Sequence, residues 1–341
     1  MPGDEYSWRV HAVLNDMVTT GGRMNAIRVH RFGGPESLIC EAVPRPDPGE
    51  GQVLVHVRAA GVGPWDAWVR TGQSALRHEL PVIPGSDVSG VIERVGAGGS
   101  ELKEGEAVFG VTNEQFTGAY AEYAIASAQM ITRKPARLGF VEAASVPVVA
   151  CTAWQMVFDH GQADASKRVL IHGAAGNVGA YAVQLAKRAA KEVIATAFSA
   201  DLDYVRALGA DRVIDVTASP FEQLLTNVDI VIDTVGGDTL DRSFGVLRPG
   251  GVLVSSVATP DAVAAKRHSV RAVFFLVRVS SGLLNEIASL IDAGQLRTSV
   301  GDVLPLRDVQ IAHEMLAGKP HKRGKIVLSM EDVRPAGAPV R

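Results

Sequence analysis

The chain has 341 residues, 47% of them hydrophobic and 21% charged, a globular composition with length for two domains of about 100–200 residues each. A formal net charge of −3 excludes the broad basic field that nucleic acid or an anionic membrane surface would require. Two cysteines, Cys40 and Cys151, exclude a disulfide framework and point to a reducing cytoplasm, and no apolar run reaches the ~20 residues of a membrane helix.

Residues 1–23 differ in character from the rest of the chain and read as a poorly ordered extension, or as the product of an upstream start. A strand-like run begins at Met24 and covers Asn25 to His30. The segment from Gln52 to Ala59 alternates apolar and polar residues at period two, as a half-buried strand does. Val88 to Val95, Ala107 to Gly110 and Ala119 to Ala126 are further strands, separated by Pro and Gly clusters, so the first third reads as a mostly β domain. After about residue 150 short apolar runs recur at 169–172, 193–197, 212–215, 230–233 and 252–255. Between the first two, Val178, Tyr181, Ala182, Leu185, Ala186 and Ala189 share one helix face. Continuous apolar strands alternating with helices predict a doubly wound parallel sheet, hence an α/β fold class. Gly324 to Leu328 returns to a β pattern and is expected to rejoin the first domain. Residues 333–341 are read as a tail.

The strongest local signal is His172-Gly173-Ala174-Ala175-Gly176-Asn177-Val178-Gly179, which follows an apolar strand and opens the amphipathic helix. Small residues let the backbone approach a pyrophosphate, and free N–H groups at the helix start face the anion. The pattern aligns with G-x-G-x-x-G except that alanine, Ala174, stands first. The end of the next strand, Ala197-Phe198-Ser199, reads the adenosine ribose. An acid there suits NAD and a cation or hydroxyl suits NADP; Ser199 fits a phosphate, Asp201 repels one, and the residues leave the choice open.

Taken together and in order, the motifs Gly61-Val62-Gly63-Pro64-Trp65-Asp66, Pro84 to Gly90, Gly118-Ala119-Tyr120-Ala121-Glu122-Tyr123, Thr152-Ala153-Trp154, His172 to Gly179, Leu208-Gly209-Ala210-Asp211, Asp233 to Gly237, Arg248-Pro249-Gly250-Gly251 and Arg323-Gly324-Lys325 resemble the medium-chain dehydrogenase/reductase superfamily, in its zinc-independent quinone oxidoreductase branch. The resemblance spans about Met24 to Ser329. It implies a GroES-like β domain (24–148 and 298–332), a Rossmann domain (149–297) and an active cleft between them. Zinc members of the superfamily hold their metal with a cysteine, a His-Glu pair and a second cysteine. Those positions correspond here to Gly63, Ser86-Asp87 and the apolar run Pro147 to Ala150, so no zinc is expected. Cys151 nearby reads as a small core residue.

The same resemblance implies hydride transfer from a nicotinamide dinucleotide to a quinone or an α,β-unsaturated carbonyl, a small-molecule substrate, and no nucleic-acid or membrane partner. It implies NADPH as cofactor, while the residues leave NADH open. It places Thr152 near the nicotinamide, Ala175, Gly176, Asn177, Val178 and Gly179 on the pyrophosphate, Ala197, Phe198 and Ser199 at the ribose, and Thr234, Val235, Gly236, Ser255 and Val257 at the nicotinamide ribose, with Lys325 reaching the cleft. Thr152 read by itself fits a helix N-cap equally well. Trp65, Asp66 and Trp68 are the candidate substrate-side residues, the tryptophans as pocket wall or as core. Branch members often carry asparagine where Gly63 stands and tyrosine where Trp68 stands. The loss of both polar groups keeps a second function open, a dinucleotide-binding structural or sensing protein with little catalysis. Phe274-Phe275-Leu276 fits the edge of a homodimer, a substrate wall or sheet core.

Overall fold

A computed structural model of the chain describes residues 22–98 and 101–331. Of the extension expected over 1–23, residues 1–21 lie outside them, while Arg23 already opens the first strand; the tail 333–341 also lies outside them. The first strands are β1 (Arg23–Val29), β2 (Leu38–Pro44), β3 (Gln52–Val62), β4 (Asp87–Val95), β5 (Ala107–Val111), β6 (Tyr123–Ser127) and β7 (Ile131–Arg133). Helix α1 (Pro64–Thr71) follows β3, and α2 (Phe140–Ala144) and α3 (Pro147–Trp154) lead out of this region. The Ala119–Ala126 strand read from the sequence starts only at Tyr123. Its first half is an extended loop whose Tyr120 bonds the backbones of Ile27 and Pro84 instead of a ladder.

Next come β8 (Arg168–His172), α4 (Asn177–Lys187), β9 (Glu192–Ala197), α5 (Leu202–Ala207), β10 (Arg212–Asp215), β11 (Val228–Asp233), α6 (Gly237–Ser243), β12 (Leu247–Ser255), α7 (Ala262–Arg267), β13 (Arg271–Phe274) and α8 (Ser281–Asp292). Strands β14 (Val300–Pro305) and β15 (Lys325–Ser329) flank α9 (Val309–Leu316). The short strands β7, β13 and β14 have no alternating pattern long enough to read from sequence.

Strands β8 to β13 form one parallel sheet in the order β10-β9-β8-β11-β12-β13. Numbered from the first strand this is 3-2-1-4-5-6, the dinucleotide-binding order, with its switch point between β8 and β11. The strands are buried on both faces. Val169, Ile171, Val193, Ile230 and Val254 pack with Tyr181, Leu185, Leu284 and Ile287 on one side. Leu170, Ile194, Val231 and Leu253 pack with Phe221, Leu240 and Phe244 on the other. That two-sided burial is why these runs are apolar without alternation. Helix α4 is buried almost all round, Ala180, Val183 and Gln184 included, a wider face than the sequence pattern shows.

The other large sheet runs β14-β15-β3-β4-β5-β7 with β6 also on β3. Strand β15 pairs antiparallel with β3 and parallel with β14, so the chain's last described strand returns to the β region that the chain left at α2. Val53, Val55 and Val57 of β3 meet Val88, Ile92, Ile326 and Leu328 in its core.

The turn from β8 into α4 is held tightly. Gly173 has φ +68°, a region that favours glycine. A Cβ on Gly179 would lie 2.2 Å from the Gly173 carbonyl oxygen and 2.8 Å from Ala174 Cα, both backbone atoms. Gly179 is therefore the glycine of close helix–strand packing. The change Gly179→Ala is expected to destabilise the protein by about 1–3 kcal/mol, seen as a lowered urea midpoint. An unchanged midpoint would show that α4 can move off the turn at no cost.

Candidate active site

The switch point opens on a cleft of about 350 Å³. One wall is the head of α4, where Gly176 is the N-cap and carries no side-chain cap. The first N–H groups of the helix, at Asn177, Val178 and Gly179, thus have neither an intrahelical nor a capping partner. Gly176, Asn177 and Val178 line the cleft, while Ala175 borders the adjoining recess beside Tyr204 and Gly324. Uncapped amides, no side chain on Gly176 and a dipole pointing outward fit a diphosphate.

Thr234, at the end of β11, lines the cleft and donates to the His172 carbonyl at 2.8 Å, tying the two strand ends at the switch point. His172 is itself buried between Thr196 and Ser243 hydroxyls, each 3.0 Å away, and burial pushes its pKa down to about 3. It is a neutral structural bridge beneath the phosphate turn. Ser255 does not face the cleft: it is fully buried and donates to Asp233 at 2.8 Å, while the next residues, Ser256 and Val257, line the wall. Strand alternation at the end of β12 turns one serine in and the other out. Val235 and Gly236 are absent from the lining, and their N–H groups cap Asp233 at 3.1 and 3.0 Å.

The opposite wall comes from the β region. Trp65 and Trp68 of α1 both line the cleft; Trp68 is half-exposed, while Trp65 also packs against the core behind it. Asp66 between them is turned inward and fully buried. Its Oδ2 accepts the Gly63 N–H at 2.8 Å and the Tyr120 hydroxyl at 2.9 Å, fixing the start of α1. It does not line the cleft, because adjacent helix positions point about 100° apart. Thr152 lines the cleft from inside α3, where its hydroxyl donates to the Val148 carbonyl at 2.7 Å, so it is not a helix N-cap. Phe116, Phe275, Leu276 and Val277 complete an apolar wall, and Ser74 and Gln115 add polar groups. Ser74 is backed by His78, whose Nε2 lies 3.2 Å from Ser74 Oγ and which burial keeps below the usual histidine pKa. Neither Ser74 nor Phe116 could be found from the sequence. They sit in loops, and only folding brings them to the cleft.

Lys325 is almost completely buried at the back of the cleft. Its Nζ lies 3.0 Å from Asp87 Oδ2, without hydrogen-bond alignment, and 4.1 Å from the centre of the Trp65 ring. Asp87 Oδ1 accepts the Val148 N–H at 2.9 Å. Burial holds the Asp87 carboxyl above its usual range, against the pull of Lys325 and Val148. Ser86 Oγ takes the Trp65 indole N–H at 2.9 Å. A Cβ on Gly63 would fall 2.3 Å from the same indole. Three of the positions at which zinc members place ligands are thus a glycine covered by Trp65, a serine bonded to Trp65 and an aspartate held by Lys325, and the fourth falls in the buried apolar run Pro147 to Ala150. Among the described residues no three His, Cys, Asp or Glu side chains gather as a metal set, and these groups do not fit a catalytic zinc. Cys151 lies fully buried beside them, its thiol pushed well up by burial.

Away from the cleft, Ala197 is buried at the end of β9, Phe198 is 65% exposed, and Ser199 donates to Asp215 on the neighbouring strand end.

A parallel dinucleotide-type sheet covered on both faces and joined to a GroES-like β region, with the cleft at the switch point, defines a medium-chain dehydrogenase/reductase. Residues 49–136 match the alcohol dehydrogenase GroES-like domain and residues 208–328 the zinc-binding dehydrogenase domain. The quinone oxidoreductase of Lama guanicoe is 33% identical over 332 residues, covering 92% of this chain and all of that protein. The chloroplastic NADPH-dependent alkenal/one oxidoreductase of Arabidopsis thaliana is 32% identical over 315 residues, covering 87% of this chain and 77% of that one. The solved quinone oxidoreductase of Coxiella burnetii superposes with a TM-score of 0.84 at 32% identity, over 91% of this chain and all of that one. The chain belongs to the quinone oxidoreductase-like branch of the medium-chain dehydrogenase/reductase superfamily.

Asp66 gives the site a pH signature. Burial, opposed chiefly by the Gly63 N–H, raises its pKa from 3.8 to about 7. The folded state therefore holds a proton that the unfolded state releases above pH 3.8. Stability from this group is full below that pH and is lost as pH rises through about 7, at on the order of 1.4 kcal/mol per pH unit inside the window. Melting temperatures of the wild type and Asp66→Asn, compared across that range, should converge or cross as pH rises. A pH-independent difference would show that Asp66 titrates normally.

Proposed function

We propose that this protein reduces a quinone or an α,β-unsaturated carbonyl with hydride from a nicotinamide dinucleotide, without a metal. The single observation that carries the reading is the cleft itself: uncapped helix amides on one wall, and an apolar wall of Trp65, Trp68, Phe116 and Leu276 on the other. The dinucleotide supplies the hydride; all else is binding and orientation by the chain, a contribution of at most ~7–11 kcal/mol in ideal cases. The head of α4 binds the diphosphate. Thr234, Ser256, Val257 and Thr152 enclose the nicotinamide end. The flat apolar wall takes an aromatic or extended acceptor and excludes water. Ser74 Oγ hydrogen-bonds the acceptor oxygen and passes it a proton that is replaced from solvent through His78, a task for which Gly63 and Trp68 offer no group. Lys325 holds Asp87 and Trp65 in place, so that the back of the cleft stays filled without a metal ion.

The relatives' names support this reading: one is a quinone oxidoreductase, one prints NAD(P)H and one prints NADPH. We further propose that the protein works in a reducing cytoplasm, since both cysteines are free. We also propose that it forms a homodimer through the edge strand β13, where Phe274 is half-exposed. The regions 24–148 with 298–332 and 149–297 are then its catalytic and dinucleotide domains. The closure of position 63 by Trp65 favours a second reading, a dinucleotide-binding protein with little turnover.

The test is consumption of NADH and NADPH, followed at the absorbance of the reduced cofactor, with a panel of quinones and enones. Turnover that survives exhaustive chelation supports the reading, and stoichiometric zinc whose removal abolishes activity refutes the metal-free part. Tight dinucleotide binding with no acceptor consumed favours the second reading. Ser74→Ala is expected to lower kcat by about tenfold or more with KM little changed; an unaltered kcat removes Ser74 from the chemistry.

A further inference from the structure

The strand ends that receive the adenosine ribose carry a charge pattern that the sequence order hides. Asp215 ends β10 and is in register with Ala197, the last residue of β9, and the next residue, Val216, bonds the Ala197 carbonyl at 3.1 Å. The Asp215 carboxylate is fixed from several sides. Ser199 Oγ donates to its Oδ2 at 2.5 Å, and Thr217 donates to its Oδ1 through both hydroxyl (2.6 Å) and N–H (2.9 Å). The hydrogen bond from Ser199, then those from Thr217, hold the carboxyl below its usual pKa, so it is ionised at neutral pH. The Ser199 hydroxyl, the one group at this strand end suited to a phosphate, is thus committed to an acid. The cation that reaches the corner is Arg323, which is ion-paired with Asp201, bonded to the Ala200 carbonyl and stacked over Tyr204 at 4.5 Å. Arg323 cancels Asp201 and leaves Asp215 uncompensated.

We propose that this corner selects NADH over NADPH, with Asp215 as the specificity-determining residue. The inference rests on the reading that the chain binds a nicotinamide dinucleotide at the head of α4, and it runs against the NADPH that family resemblance implies. The two cofactors differ here by one group: a ribose 2′-hydroxyl, which can donate to a carboxylate, against a 2′-phosphate, which brings up to two negative charges and no donor. A like charge a few ångströms away in a half-exposed site opposes binding strongly. Phe198 and Val216, both exposed beside these strand ends, offer apolar flanks to an adenine ring and no charge to a phosphate.

Direct binding tests this without turnover. Quenching of intrinsic tryptophan fluorescence is titrated with NADH and with NADPH on the full chain. NADH is expected to bind at least about tenfold tighter. In Asp215→Asn, which keeps the shape and an acceptor for Ser199, NADPH affinity should rise about tenfold while NADH changes little. Should that variant fold poorly, the wild type still decides the matter, because added salt should shrink the ratio of the two dissociation constants. NADPH binding as tightly as NADH to the wild type, a salt-independent ratio, or a well-folded Asp215→Asn with unchanged NADPH affinity overturns the assignment and leaves the cofactor reading standing. Failure of both dinucleotides to bind sinks the cofactor reading itself.

Discussion

The structure turns on one buried carboxylate. Asp87 leaves the start of β4 and touches both Lys325 at the start of β15, 3.0 Å away, and the Val148 N–H in the first turn of α3, 2.9 Å away. It therefore joins the β sheet, the returning C-terminal strand and the helix that carries Thr152 toward the phosphate turn. A buried ion pair of this kind is weak evidence of net stability, since desolvating both charges costs about what their attraction returns. Removing one partner alone is another matter, typically about 3–5 kcal/mol, because the other is left charged and unmatched. The pair thus works as a registration device, holding the two walls of the cleft to one geometry.

Around that pair the back of the cleft has been rebuilt as a set of dependent choices. Trp65 lies over Lys325 and gives its N–H to Ser86, and the space it takes is the space a side chain at position 63 would need. Glycine at 63 and tryptophan at 65 are one solution and not two departures. The cation that meets Asp87 is a lysine of the chain, 3.0 Å from Oδ2, while Oδ1 accepts the Val148 N–H. A side chain added at position 63 meets the Trp65 ring, and the cost of overpacking falls on it.

Much of this was legible in the sequence. The alternation in Gln52 to Ala59, the unbroken apolar runs after residue 150 and the small-residue turn His172 to Gly179 carry their own periodicity, and each became the expected strand or turn. What failed to show was whatever depends on direction or on distant partners. Asp66 sits in a motif between two cleft tryptophans, yet the helical step of about 100° sends it into the core toward Tyr120, 54 residues away. Ser255 and Ser256 are indistinguishable as letters and lie on opposite sides of a strand end. Ser199 looks like a phosphate donor until folding brings Asp215 to it from 16 residues on. Ser74 and Phe116 lie in loops with no periodic signal. Element type follows from local pattern; side-chain role follows from contacts made at long range.

The cleft's outer wall is held in place from α3. Helix α3 ends in a π-type turn, Gln155–His160, a form common at functional sites. From it the Gln155 amide clasps the Arg278 backbone on both sides, donating to its carbonyl at 2.5 Å and accepting its N–H at 3.1 Å. That clasp fixes the loop that brings Phe275, Leu276 and Val277 to the cleft, directly after the edge strand β13. The same three residues also line a neighbouring groove of about 1370 Å³, with Trp154 and His160 on its other side. One short segment, just past the edge strand, therefore lines both the cleft and the groove. The loop that shapes this wall of the cleft is thus tied to the end of α3 through Gln155 and to the end of β13 through the chain itself.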